Sequence, residues 1–213
     1  MRWTDLKTRA PLLLCCCSLL AACSNDENAS QHKEPDLTSV VRAAAKIDDH
    51  FDASQTQPVH GRRILMRKRL VNDTWVVCAM IDQTSGPILL LFDRELKPLH
   101  YERDIAWARE GAISPMVVDC EKGRQRIVFA KPTSDQTGRL DLFVLTPGGA
   151  KRKIGGFLQG YVKDGVAYGL YPVVIRFADG NTKIAIVAYA NDKRTRKITK
   201  EFSLRCNPPV NEQ

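Results

Sequence analysis

From Gly61 onward the chain is a succession of short apolar runs, each closed by a turn signal. That pattern is what most limits its fold. Runs at 62–70, 74–81, 87–92, 97–102, 116–120, 126–131, 139–146, 151–157, 165–177, 182–190 and 194–205 have the length and the β-branched and aromatic content of strands. Asn72-Asp73, Ser85-Gly86, Pro147-Gly148-Gly149, Asp179-Gly180-Asn181 and Asn191-Asp192 separate many of them. Such residues supply the φ angles that tight hairpins need. Parallel strands would instead need crossovers of a dozen or more residues. The expectation is a mainly β, antiparallel domain: a sandwich, an open barrel or a small propeller-like stack of sheets.

Some runs are apolar at every position, notably Ile88-Leu89-Leu90-Leu91-Phe92, Leu142-Phe143-Val144-Leu145 and Ile184-Ala185-Ile186-Val187-Ala188. A strand with no polar face is covered on both sides, which suits inner strands of stacked sheets. The last run alternates, with Ile198, Phe202, Leu204 and Cys206 on one face and charged or hydroxyl residues on the other. That suits an edge strand. A faint echo links 91–97, 143–149 and 175–181, each a strand followed by a polar turn, in the manner of propeller blades.

Before the strands lies one helical pattern, expected over 36–52. Leu37, Val40, Val41, Ala44, Ile47 and Phe51 share a face, and Asp36 or Thr38 can cap the start. The acidic end Asp48-Asp49-His50-Phe51-Asp52 reads as solvated, because positions 48 and 52 share a helix face while 49 and 50 do not.

The N-terminal segment has a different logic. Arg2, Lys7 and Arg9 precede an uncharged, largely apolar stretch from Leu12 to Ala22. This is the layout of a secretory signal peptide, and the stretch is well short of the roughly 20 residues a spanning helix needs. It closes on Leu20-Ala21-Ala22-Cys23. These four residues resemble the lipobox of bacterial lipoproteins at every position. The resemblance implies a diacylglyceryl thioether on Cys23, cleavage before it, and acylation, for example by palmitate, of the new amino group. Ser24 follows where an Asp would imply retention at the inner membrane, so the resemblance points to the outer membrane, facing the periplasm. Residues 23–35 are polar apart from Cys23 and Ala29 and read as a tether. Residues 36–210 then form one domain.

That layout sorts the seven cysteines. Cys15, Cys16 and Cys17 leave with residues 1–22, and Cys23 takes lipid. Cys78 sits mid-strand, where a free thiol behaves as a small hydrophobe. Cys120 and Cys206 end apolar runs and are the candidate disulfide in an oxidising compartment. The net charge of +8 falls to +6 once Arg2, Lys7, Arg9 and Asp5 are removed. Its densest runs include Arg63, Arg67 and Arg69, expected on one strand face, and Lys151, Arg152 and Lys153. Together they are the candidate partner-binding patch. Without interleaved aromatics and at an envelope location, they do not suggest nucleic acid.

No sequence motif indicates a catalytic residue, a metal site or a cofactor. There is no G-x-S-x-G elbow, H-E-x-x-H helix, phosphate loop or dinucleotide fingerprint, and Gly148-Gly149-Ala150-Lys151 lacks a following helix. The expectation is a non-enzymatic lipoprotein. It would be anchored in the membrane through its N-terminal lipid, and its β-domain would bind or inhibit another periplasmic or envelope protein, as immunity proteins do. The alternatives are a structural part of an envelope secretion or transport complex and a hydrolase of cell-wall or lipid material.

Overall fold

The computed structural model describes residues 33–48, 62–81, 86–108, 113–120, 123–133, 138–176, 182–190 and 196–204. Among the described residues one helix, α1 (Leu37–Ile47), is followed by twelve strands. Strands β1 (Arg63–Arg69), β2 (Trp75–Met80), β3 (Ile88–Phe92) and β4 (Pro98–Glu102) form the first sheet. Strands β5 (Met116–Asp119), β6 (Gln125–Pro132), β7 (Arg139–Leu145) and β8 (Lys151–Leu158) form the second. Strands β9 (Gly160–Lys163), β10 (Val166–Arg176), β11 (Thr182–Ala190) and β12 (Arg196–Leu204) form the third. Every pairing is antiparallel and joins sequence neighbours. The fold is mainly β, preceded by a single helix, as the turn pattern requires.

The sheets stack face to face. On the first sheet, Val77, Ala79, Ile88, Leu90 and Phe92 pack with Val40, Ala43 and Ala44 of α1. Its other face, with Val76, Cys78, Leu89 and Leu91, meets Ile127, Phe129 and Leu145 of the second sheet. The far side of the second sheet, with Val128, Ala130, Leu142 and Val144, packs on Ile184, Ile186 and Ala188 of the third. Strands β3, β7 and β11 are all inner strands, and β12 is an edge. The wholly apolar runs thus sit where both faces are covered. The echo reflects three meanders of about 40 residues each, the size of a propeller blade. Its third copy is out of phase: it marks the β10–β11 turn, a second-to-third connection, whereas the first two mark third-to-fourth turns.

Three local features depart from the sequence pattern. Strand β9 was not expected. Its hairpin is closed by Asp164-Gly165, both at positive φ (51° and 73°), between the paired Lys163 and Val166. This is a two-residue primed turn whose Asp-Gly signature was available in the sequence. A bulge at Leu65 shifts the β1 register, so Arg63 opposes Met80 while Arg67 and Arg69 oppose Val77 and Trp75. Arg63 therefore lies on the opposite face from Arg67 and Arg69, not on a shared one. A second bulge at Thr199, whose hydroxyl donates to the Ile186 carbonyl at 3.0 Å, turns Ile198 away from Phe202 and Leu204 and leaves it 48% exposed.

The helix is also shorter than expected. Asp36 caps it through a capping box: the Ser39 N–H donates to Asp36 Oδ1 at 2.7 Å, and the Asp36 N–H donates to Ser39 Oγ at 2.9 Å. It ends at Ile47, which is 43% exposed, and Asp48 leaves helical geometry as the C-cap. Ala43 takes a place in the core that the spacing gave to Ile47. Residues 49–52, with Phe51, lie outside the described residues.

Edges of the second and third sheets meet where Phe202 of β12 lies on Gly155 of β8, and Lys200 Nζ donates to the Gly156 carbonyl at 3.1 Å. A Cβ on Gly155 would overlap the Phe202 ring. Gly155→Ala should therefore destabilise the domain by about 1–3 kcal/mol. Phe202→Ala in the same chain should recover part of that loss. Urea midpoints of the two single variants and the double variant measure the coupling; simple additivity would show that the ring escapes without cost.

Candidate functional site

The polar chemistry of the described residues concentrates between the first two sheets, around Glu102. This residue ends β4 and opposes Leu89, so the ladder directs it toward the second sheet. His100, two residues earlier, shares that face. Lys131 of β6 alternates with Phe129, and Lys151 of β8 opposes Leu145, so both lysines project from the second sheet toward the first. All four groups converge. His100 Nε2 donates to Glu102 Oε1 at 3.0 Å, Lys131 Nζ donates to Oε2 at 2.9 Å, and Lys151 Nζ donates to Oε1. The Lys151 ammonium also lies 5.5 Å from the centroid of the Phe143 ring, which stacks on Phe129.

The Glu102 side chain is only 6% exposed. Burial alone would raise its pKa. Hydrogen bonds from His100, Lys151 and Lys131 outweigh that penalty and bring it down to about 2. The carboxylate is thus ionised and fully engaged, a tie across two sheets. Beside it, Lys153 Nζ pairs with Asp141 Oδ2.

A second tie joins α1 to β4. Asp48 was expected on a solvated helix end, yet it is buried. Its carboxylate accepts from the Tyr101 hydroxyl at 2.7 Å and from Arg103 Nη1 at 3.3 Å. Burial, then the hydrogen bond to Asp48, pushes the Tyr101 phenol well above its ordinary range. Near the other edge of the first sheet, the Val71 N–H donates to Gln125 Oε1 at 2.8 Å, and Gln125 Nε2 donates to Asp119 Oδ1 at 2.8 Å.

The residues expected to form one basic patch have separate roles. Arg63, Arg67 and Arg69 lie on β1, at the opposite edge of the first sheet from β4 and so about 14 Å across it. Arg67 pairs with Glu34 at 2.6 Å and Arg69 with Asp73 at 2.6 Å. Lys151 and Lys153 are committed to Glu102 and Asp141, while Arg152, opposing Val144, lies on the other face of β8. Sequence reasoning missed Glu102. The available signal was His100-x-Glu102 on a strand, two groups on one face.

Cys120 is disulfide-bonded. Its expected partner, Cys206, lies outside the described residues, as do Cys23, His32, His50 and His60. Cys78 is a free, buried thiol, pushed up to about 12 by desolvation. Gly148 and Gly149 form the β7–β8 turn, with Gly149 at φ 92° and its N–H donating to the Thr146 carbonyl at 3.0 Å. Among the described residues, no group of three or more His, Cys, Asp and Glu side chains could hold a metal ion, and no helix is long and apolar enough to cross a membrane.

No family model and no curated protein matches the chain. Two solved structures share part of its course. An endo-arabinase from Bacteroides thetaiotaomicron VPI-5482 is 11% identical, with 62% of this chain and 52% of that one covered and a TM-score of 0.33. A protein assigned as an exo-β-1,3-galactanase from Bifidobacterium bifidum s17 is 14% identical, with 68% and 52% covered and a TM-score of 0.28. The chain spans about half the length of each.

Two outcomes follow from this chemistry. Free Glu102 would titrate near its ordinary value of 4.5, and the folded group titrates at about 2. Its contribution is therefore complete above pH 4.5 and is lost as pH falls toward 2. Glu102→Gln should cost roughly 2–4 kcal/mol at pH 7 and flatten that acid limb, as urea titrations at pH 7, 4 and 2.5 would reveal. Cys78 should resist iodoacetamide until denaturant is added. Alkylation of the native protein within minutes would contradict its burial.

Proposed function

We propose that this chain is a lipid-anchored envelope protein, held in the outer membrane through Cys23, whose β-domain binds or inhibits another protein in the periplasm. The observation that carries the reading is Leu20-Ala21-Ala22-Cys23, set behind a basic and then apolar leader and ahead of a polar stretch. The lipid would provide the location, and two or more acyl chains would make it durable.

The geometry supports a binding role over a chemical one. The buried carboxylates Glu102 and Asp48 are occupied by lysines, an arginine, a histidine and a tyrosine of the same chain. They fix the sheets and helix against each other, so both carboxylates are engaged within the fold. What the described surface offers is exposed apolar side chains on or beside strands: Val162 at 73%, Leu158 and Ile198 at 48%, Leu99 at 44%. Val162 lies on the short edge strand β9, whose Tyr161 stacks on Tyr168 at 4.9 Å. A hairpin that packs its aromatic pair on the core and presents an exposed aliphatic side chain on its other face is suited to a partner's pocket. An oxidised Cys120 also agrees with an exported protein, and we assign Cys206 as its partner.

Expression in a lipoprotein-processing bacterium tests the anchor. Wild type should stay in the membrane fraction through a high-salt wash, with its mass increased by lipid on Cys23, whereas Cys23→Ala should not be lipidated. A wild-type chain that carries no lipid would overturn the reading. Site-specific cross-linking from Val162 in intact cells tests the binding role. A discrete adduct that disappears with Tyr161→Ala is expected, while the absence of any adduct at positions 158, 162 and 198 would count against it.

A further inference from the structure

We propose that the β1 edge, together with the β1–β2 turn, is the surface this protein lays on anionic lipid headgroups. The proposal rests on the lipid-anchor reading and adds an orientation to it.

The first observation is where the tether meets the domain. Arg67, in the middle of the edge strand β1, donates from Nη1 to the Pro35 carbonyl at 3.0 Å and pairs through Nη2 with Glu34 at 2.6 Å. Glu34 and Pro35, just ahead of the capped start of α1, are therefore held against this edge. Eleven Cα-to-Cα steps separate Cys23 from Glu34. Fully extended they reach at most about 38 Å, and as a relaxed coil about 18 Å. A domain of this size is itself about 40 Å across. A lipid on Cys23 would thus keep Glu34, and the β1 edge that holds it, within that reach of the bilayer.

The second observation is the character of that edge. Strand β1 reads Arg-Ile-Leu-Met-Arg-Lys-Arg and contains no acidic residue. The bulge at Leu65 sends Arg63 to one face and Arg67 and Arg69 to the other, while Lys68, opposing Val76, returns to the side of Arg63. Positive charge therefore fans out on both sides of the edge. Glu34 and Asp73 neutralise Arg67 and Arg69, and Arg63 and Lys68 are exposed. The adjoining turn presents Val71, 67% exposed, while its backbone N–H is held by Gln125. An aliphatic side chain held in a turn near Lys68, at the end of a basic edge, is complementary to a headgroup layer, with its anionic surface and apolar interior. A basic edge also discourages strand addition, and the experiment separates that role from lipid docking.

Full-length lipidated protein would be reconstituted into phosphatidylcholine vesicles with 30% phosphatidylglycerol and a headgroup nitroxide quencher. A fluorophore would be attached at Asn72→Cys in the β1–β2 turn or, as the distant comparison, at Asp164→Cys in the β9–β10 turn. The expected result is at least twofold stronger quenching at position 72. That excess should fall by half or more in 0.5 M salt, in vesicles without phosphatidylglycerol, and in the Arg63→Glu/Lys68→Glu variant. Equal quenching at the two positions, or an excess indifferent to both salt and lipid charge, overturns the proposal while leaving the anchor intact. Wild-type protein that proves to carry no lipid on Cys23 and fails to float with vesicles removes the anchor reading, and the proposal with it. If the double variant fails to fold, the salt and lipid-charge series on wild type decides the matter.

Discussion

Two-sided burial of the inner strands is the constraint on which the rest of this structure depends. All five residues of β3 are buried, and so are most of β2, β6 and β11. A strand of that kind needs a neighbour on each face, so no single sheet of this chain can satisfy it. Burying apolar surface yields about 25 cal/mol per Å², and the stacked arrangement is how four-stranded meanders collect it on both sides. The first sheet needs α1 for the same reason: without Val40, Ala43 and Ala44, the face with Val77, Leu90 and Phe92 would meet water. The single helix completes a layer that strands leave open.

Apolar layers slide unless something sets their position, and here polar contacts at the margins do so. Glu102 reaches from the first sheet to two strands of the second, Asp48 fixes the helix end to β4, and Gln125 links the β1–β2 turn to β6. Each is costly to bury alone. Each persists because its partners arrive from a different element, which couples local geometry to the stack. The same logic explains why Glu102 is not a candidate for chemistry. Its low pKa comes from donors that already occupy both oxygens, whereas a general acid or base needs a free position facing substrate.

Turn chemistry and strand composition made the element order legible in the sequence, and fully apolar runs distinguished inner from edge strands. Face assignment failed at Arg63 and Ile198 because a bulge adds one residue to one strand and inverts every side chain beyond it. Leu65 and Thr199 carry no composition that announces a bulge. Ile47 and Asp48 show a similar limit. Helical spacing extended the apolar face through Ile47 to Phe51, but Tyr101 and Arg103, more than fifty residues away, provide a buried site for Asp48, and α1 ends at Ile47. The Glu102 cluster draws on β4, β6 and β8, so its convergence belongs to the stacking of sheets and not to any local pattern.

The basic runs show how this division bears on function. In sequence, the runs around Arg67 and Lys151 look equivalent. The stack makes them different, because Lys151 of β8 reaches across to Glu102 of another sheet, whereas Arg67 and Arg69 of β1 pair with Glu34 and Asp73 outside the other two sheets. Lys151 therefore compensates a buried carboxylate, and its charge is used within the fold. Arg63 and Lys68 stand on an edge with no further sheet beyond it, next to the point where Arg67 holds the incoming chain. A charge that the fold consumes cannot also recruit a partner, whereas an exposed charge at the edge where the chain enters the domain remains available to a surface outside it. Net charge is therefore a poor guide to what this protein binds, and the position of each cation relative to the stack is a better one.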